Sequence, residues 1–202
     1  PGSVTDLSLG CGDPVSLAEI REGDTVLDLG SGGGIDCFLA AKRTGPNGYV
    51  IGVDMTPDML ERARANARKL NATNIEFREG QIERLPVEND TVDMILSNCV
   101  INLSPDKPQV FREMFRALKP GGRVAVSDIV THGPMRSSVA QSLESWSACV
   151  AGALDVQDYH AGLEAAGFVE VAITPKDEMG NKLLASLPAG LPFSALITAR
   201  KP

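Results

Sequence analysis

The chain of 202 residues contains no apolar run near the roughly 20 residues needed to cross a bilayer. It has no basic-plus-apolar opening of the kind that directs secretion, so a cytoplasmic protein with no membrane partner is expected. Lysine and arginine are nowhere clustered and the formal net charge is −7, which excludes the electrostatic footprint that a nucleic acid or an anionic membrane requires. No internal repeat, low-complexity tract or linker divides the chain. Histidine is scarce: His132 and His160 stand alone and read as surface or capping residues rather than catalysts. The four cysteines, Cys11, Cys37, Cys99 and Cys149, form neither a CxxC pair nor a Cys/His array at zinc-finger spacing. In a reducing compartment they are expected as thiols, and a small buried packing role is the ordinary reading of a free cysteine. The opening Pro1-Gly2-Ser3 resembles a cloning scar, so the natural chain is expected to begin further upstream.

What is present alternates in a regular way. Short β-rich runs occupy 24–30 (DTVLDLG), 49–55 (YVIGVDM), 74–80 (NIEFREG), 91–99 (TVDMILSNC) and 122–130 (GRVAVSDIV), with helical patterns between them. In one helical pattern Leu60, Ala63, Ala67 and Leu70 share a face; in the next, Val110, Met114, Phe115 and Leu118 do so, and Pro120-Gly121-Gly122 is expected to stop it. This order predicts an α/β fold with a mostly parallel sheet and helices on both faces. Two late runs, 169–175 and FSALITARK at the end, lack a clear crossover helix between them, which predicts an antiparallel edge on an otherwise parallel sheet, with the last strand antiparallel. Residues 1–202 are expected to form a single domain, with 131–161 a loop-and-helix insertion over the active site.

The most informative turn is VLDLGSGGGIDCFLAA, a strand, a glycine-rich turn and a helix in succession. Gly30, Gly32 and Gly34 permit positive φ and close approach of a ligand to the backbone. The spacing is G-x-G-x-G, and the third glycine of a dinucleotide fingerprint is replaced by Ile35. Asp28 ends the first strand, where a carboxylate can accept from an ammonium group, directly or through water. Asp54 ends the second, where one can accept from both ribose hydroxyls. A nucleoside with a cationic amino-acid tail and no phosphate fits this pair.

S-adenosylmethionine is such a molecule, and the pattern from about residue 20 to 130, including LKPGG before the fifth strand, resembles the Rossmann-like, seven-stranded class I methyltransferases. The resemblance implies that Met55 lies against the adenine and that Gln81 and Ile82 supply further adenine contacts, although many relatives carry an acidic residue at Gln81. It also implies that residues 97–99 border the transferable methyl, with Asn98 at the cofactor's polar tail and Asn102 capping the following turn.

The segments LGCGDP, LDLGSGGGIDCFLAA, SNCVINLSPDK and CVAGAL together resemble the arsenite S-adenosylmethionine methyltransferases. That family's arsenic-binding cysteines map onto Cys11, Cys99 and Cys149, with Cys37 left as a structural residue. The implied reaction is methyl transfer to trivalent arsenic, or to its thiol conjugates, held by these three cysteine ligands. The product S-adenosylhomocysteine is released, a thiol reductant serves turnover, and the protein is expected to act as a monomer. Relatives generally carry another cysteine upstream of the GCG segment, tied to disulfide exchange, and this chain starts after it, so the chain is expected to turn over poorly by itself. A methyltransferase for a small organic acceptor such as a quinone or sterol, with Cys99 only lining the pocket, is the alternative enzyme. A non-catalytic module binding S-adenosylmethionine or a metalloid is the alternative from another class.

Overall fold

A computed structural model describes Val15 and residues 18–133, 148–176 and 190–202; of Ala148 and Cys149 it describes the backbone alone. Five parallel strands come first: β1 (Thr25–Leu29), β2 (Tyr49–Asp54), β3 (Ile75–Glu79), β4 (Val92–Asn98) and β5 (Leu118–Thr131). Helices α1 (Ile35–Thr44), α2 (Pro57–Leu70) and α3 (Lys107–Ala117) supply crossovers. Then follow α4 (Ala148–Ala151), the two-residue β6 (Leu154–Asp155), α5 (Val156–Ala165), β7 (Val169–Pro175) and β8 (Pro192–Arg200). The main path runs β3-β2-β1-β4-β5-β8-β7, seven strands as expected, and β6 pairs with β5 off that path.

Burial alternates as a pleated strand requires. Leu27 and Leu29 face a core layer with Phe111, Met114, Tyr159 and Leu163, while Val26 faces another with Cys37, Leu60, Ala63 and Phe77. Central parallel strands covered on both faces therefore read as continuous apolar runs. Because the order reverses about β1, the carboxyl ends of β1 and β4 diverge into a crevice, the usual ligand position in such sheets.

The antiparallel last strand is found as expected: β8 lies between β5 and β7, is antiparallel to both, and forms the antiparallel edge with β7. Insertion beside β5 leaves β7 at the border, which covers the long strand with backbone hydrogen bonds on both sides. Two expectations need correction. Helix α3 ends at Ala117, before Pro120, because Leu118 is already extended and pairs with Val92; the residue before a proline is also biased away from helix. On α2, Leu60 and Ala63 are buried as the spacing requires, but Leu70 is exposed in the last turn, where Asn71 ends the helix in a left-handed conformation.

Candidate cofactor and arsenic site

The crevice opens into a cavity of about 550 Å³ whose walls are the glycine turn, the turns after β2 and β3, and the turn after β4. Gly30 lies at φ +68, and a Cβ there would stand 2.5 Å from the Val100 side chain. A larger residue would thus drive the glycine turn off the turn after β4. Gly32 has open space around it but φ +50, so its requirement is conformational; Gly34, at φ +90, combines both, with Phe77 2.8 Å from a notional Cβ.

Asp54 is held by two backbone donors. Gly32 N–H donates to Oδ2 at 2.9 Å and Thr56 N–H to Oδ1 at 2.8 Å. Each oxygen retains accepting capacity, and the carboxylate is locked at the cavity wall, as a ribose clamp must be. Met55, largely exposed, lines the same wall, as do Gln81 and Ile82. Arg84 N–H closes a tight turn onto the Gln81 carbonyl at 3.0 Å, which leaves the Gln81 side chain exposed.

Asp28 is placed differently. It is almost fully buried, does not line the cavity, and accepts from the Cys37 thiol at 3.2 Å. Burial, then the Asp36 carboxylate, push its pKa well up, and the thiol hydrogen bond opposes them. Burial and Asp28 likewise push the Cys37 thiol up. Cys37 is free and wholly buried, the position of a packing thiol rather than a metalloid ligand. Asn98 donates to Asp36 at 3.2 Å, so its amide is turned toward the first turn of α1 and is outside the cavity wall.

Among the described residues, the cavity wall includes Glu83 and no lysine or arginine. With Asp54 on the same wall and Asp36 nearby, its field suits a cation and repels a phosphate. This donor set fits a nucleoside carrying a sulfonium and an ammonium group, and not a dinucleotide. Motif reading missed Glu83, Ser104, Leu103 and Pro105, which complete the wall. Their signal was the Ser-Pro turn itself, since Ser104 hydrogen-bonds the Glu83 carboxylate and draws the two turns together.

Cys99 leaves β4 at φ +57, a conformation uncommon for a residue with a side chain. It is buried, and its N–H donates to the Ser127 carbonyl at 2.8 Å. Cys99, expected as a thiol in a reducing compartment, is disulfide-bonded in this structure. Its partner lies outside the described side chains. Cys11 lies outside the described residues altogether, and Cys149 is placed by backbone only, in α4. Among the described residues there is no cluster of three metal-ligating side chains. Asn102 does not cap its own turn; its amide donates to the Ile129 carbonyl of β5 at 2.7 Å. Of the histidines, His160 faces Glu164 on the outer side of α5.

The family described as Methyltransferase domain matches residues 20–167. An arsenite methyltransferase of Halobacterium salinarum is 50% identical over 98% of this chain and 51% of its own length. The human arsenite methyltransferase is 38% identical over 72% of this chain and 40% of its own. The chain thus spans about half the length of the curated relatives it matches. An arsenic(III) S-adenosylmethionine methyltransferase from Chlamydomonas reinhardtii superposes with a TM-score of 0.76 at 34% identity, covering 99% of this chain and 69% of that one. With the matched domain, the cavity and these relatives in agreement, the chain belongs to the arsenite methyltransferase family, on a class I methyltransferase fold.

Proposed function

We propose that this chain binds S-adenosylmethionine in the 550 Å³ cavity and directs its methyl group to trivalent arsenic held by Cys99, Cys149 and Cys11. The observation that carries the reading is the position of Cys99. It is the first residue of the turn that forms one cavity wall, and its neighbour Val100 packs on Gly30 of the glycine turn. A sulfur there stands beside a bound sulfonium tail, and arsenic(III) is soft and thiophilic.

Bound S-adenosylmethionine supplies an electrophilic methyl carbon. Asp54 holds the ribose, Met55 and Ile82 cover the adenine, and the carboxylates around the glycine turn favour the cationic tail; Asp28 acts from beneath that turn and Asn98 through Asp36. The arsenic lone pair is the nucleophile: an As–C bond forms as the S–CH3 bond breaks, and S-adenosylhomocysteine leaves as a neutral thioether. No proton moves, so no general base is needed, and the protein's contribution is largely positioning. Arsenic loses two electrons formally, and a thiol reductant restores it as two thiols become one disulfide. The same reductant must first open the Cys99 disulfide, a requirement that a reducing cytoplasm would meet. The chain is taken to act as a monomer, and the proposed cover at 131–161 lies in part, at 134–147, outside the described residues.

The test uses this chain with an excess of dithiol. Cys99→Ser and Cys149→Ser are expected to lower arsenite methylation by more than about 100-fold, since even outer partners of a ligand set are worth about 10- to 100-fold. Their affinity for S-adenosylmethionine should stay unchanged by calorimetric titration. Near-normal methylation in both variants would overturn the arsenic reading.

A further inference from the structure

Two segments that carry arsenic cysteines meet at one backbone contact. A Cβ on Gly152 would lie 2.0 Å from the Asn102 carbonyl oxygen and 3.0 Å from its carbonyl carbon, so only glycine lets the end of α4 approach the turn after β4. Asn102 cannot yield to a larger neighbour. Its side-chain amide is tied to the Ile129 carbonyl at 2.7 Å, and its backbone hydrogen-bonds the Asp128 carboxylate. The same stretch of β5 fixes Cys99 through the Ser127 carbonyl. Just beyond Gly152, Leu154 and Asp155 pair with Val130 and Thr131 of that strand. Residues 127–131 are therefore a common rail: one arm, Cys99 to Asn102, is fastened at its lower end, and the other, Cys149 to Asp155, at its upper end. The two arms meet directly where Gly152 abuts the Asn102 backbone.

We propose that Asn102 and Gly152 form the joint that sets the spacing between the Cys99 and Cys149 arms, and are positioning residues of the arsenic site. The proposal rests on the arsenic reading above and deepens it. Two thiolates share one arsenic atom only if their sulfurs are held a few ångströms apart, so backbone spacing is a direct determinant of affinity. A methyl group at residue 152 must push the arms apart, because its nearest neighbour is backbone rather than the end of a flexible side chain. Loss of the Asn102 amide leaves the space intact but unfastens the turn from β5.

The experiment uses reduced protein with Cys11→Ser as the common background; Cys37 is buried. Three quantities are measured for Gly152→Ala and Asn102→Ala: arsenite affinity, S-adenosylmethionine affinity, and the rate at which dibromobimane, a short bis-thiol reagent, bridges two cysteines. Gly152→Ala is expected to weaken arsenite binding and slow bridging by at least about 10-fold, the scale of an ångström-sized misplacement. S-adenosylmethionine affinity should stay within about 2-fold, as for independent sites. Asn102→Ala, expected to give a smaller loss with the same split, decides the matter if Gly152→Ala does not fold. A folded variant that keeps the parent's bridging rate and arsenite affinity would overturn the proposal, as would loss of both ligands in parallel. If the parent itself binds no arsenite, the arsenic reading fails, while the bridging rates still judge the joint.

Discussion

The two sides of the site are built in different ways. On the cofactor side, Gly30, Asp54 and Gln81 each stand within two residues of the end of a strand, and adjacent parallel strands bring them together. On the arsenic side, Cys99 follows a strand but takes its place from β5, through Ser127, Asp128 and Ile129, and from a glycine some fifty positions on. The first side needs only correct strand register. The second needs long-range polar contacts inside the core, where an unsatisfied group is costly. A site of the first kind tolerates change elsewhere in the molecule; one of the second kind shares its fate with the core around it.

The largest effect that separates them is expected at Asp128. This residue is fully buried behind the Cys99 turn, and burial pushes its pKa from 3.8 to about 7, against hydrogen bonds from Ile129 and Asn102 and the charge of Lys107. Tyr159, on α5, has its own pKa raised by burial and by this carboxylate. The native state therefore keeps its proton over a range in which the unfolded chain has lost it. The stability that this proton contributes is complete below pH 3.8 and is lost as pH rises to about 7. The span corresponds to about 4 kcal/mol as an upper bound. Urea unfolding at pH 5 and pH 8 should show somewhat over half of this fall in the parent chain, since pH 5 already lies above 3.8, and Asp128→Asn should remove most of it. Equal pH dependence in the two proteins would mean that the carboxylate is not the buried acid described.

The next largest effect belongs to the cofactor side. Asp54→Ala removes an acceptor for both ribose hydroxyls and frees Gly32 and Thr56 N–H. Charge-assisted hydrogen bonds are worth about 1.5–3 kcal/mol each, so a loss of about 100-fold in S-adenosylmethionine affinity is expected. Arsenite affinity should change by no more than about 2-fold. A calorimetric titration with each ligand checks the split, and a parallel loss would erase the contrast between the two sides.

That contrast also explains what the sequence revealed. The glycine turn and the cavity-wall positions of Asp54 and Met55 were legible because each depends on local chemistry at a fixed place after a strand. The place of Cys99 directly after β4, next to the wall residue Val100, follows from the same local pattern. Asn102 was misread as a turn cap because its partner, Ile129, lies 27 residues away. Nothing in the local pattern distinguishes an amide that closes its own turn from one that reaches the next strand. The Asp28–Cys37 hydrogen bond was equally hidden: position marked Asp28 as a ligand residue, but its burial depends on how α1 settles onto β1. The insertion of β8 between β5 and β7 is a pairing choice among strands of similar composition, and Gly152 carries no turn signature at all.

The smallest expected effect tests the rim of the cofactor side, at Gln81. Its side chain is exposed at the cavity wall, and its backbone is already fixed by the Arg84 turn. A neutral hydrogen bond in such a position contributes about 0.5–1.5 kcal/mol at most, so Gln81→Ala should weaken S-adenosylmethionine binding only about 3-fold. Gln81→Asp replaces a neutral acceptor by a charged one and should tighten binding by a similar factor. The added charge would also strengthen a wall that already presents Asp54 and Glu83 to a cation. The two contributions are separable with S-adenosylhomocysteine, which keeps the adenine but lacks the sulfonium charge. Equal tightening of both ligands is expected, because the contact is to adenine; a gain confined to S-adenosylmethionine would show that the field, and not the hydrogen bond, is what residue 81 supplies.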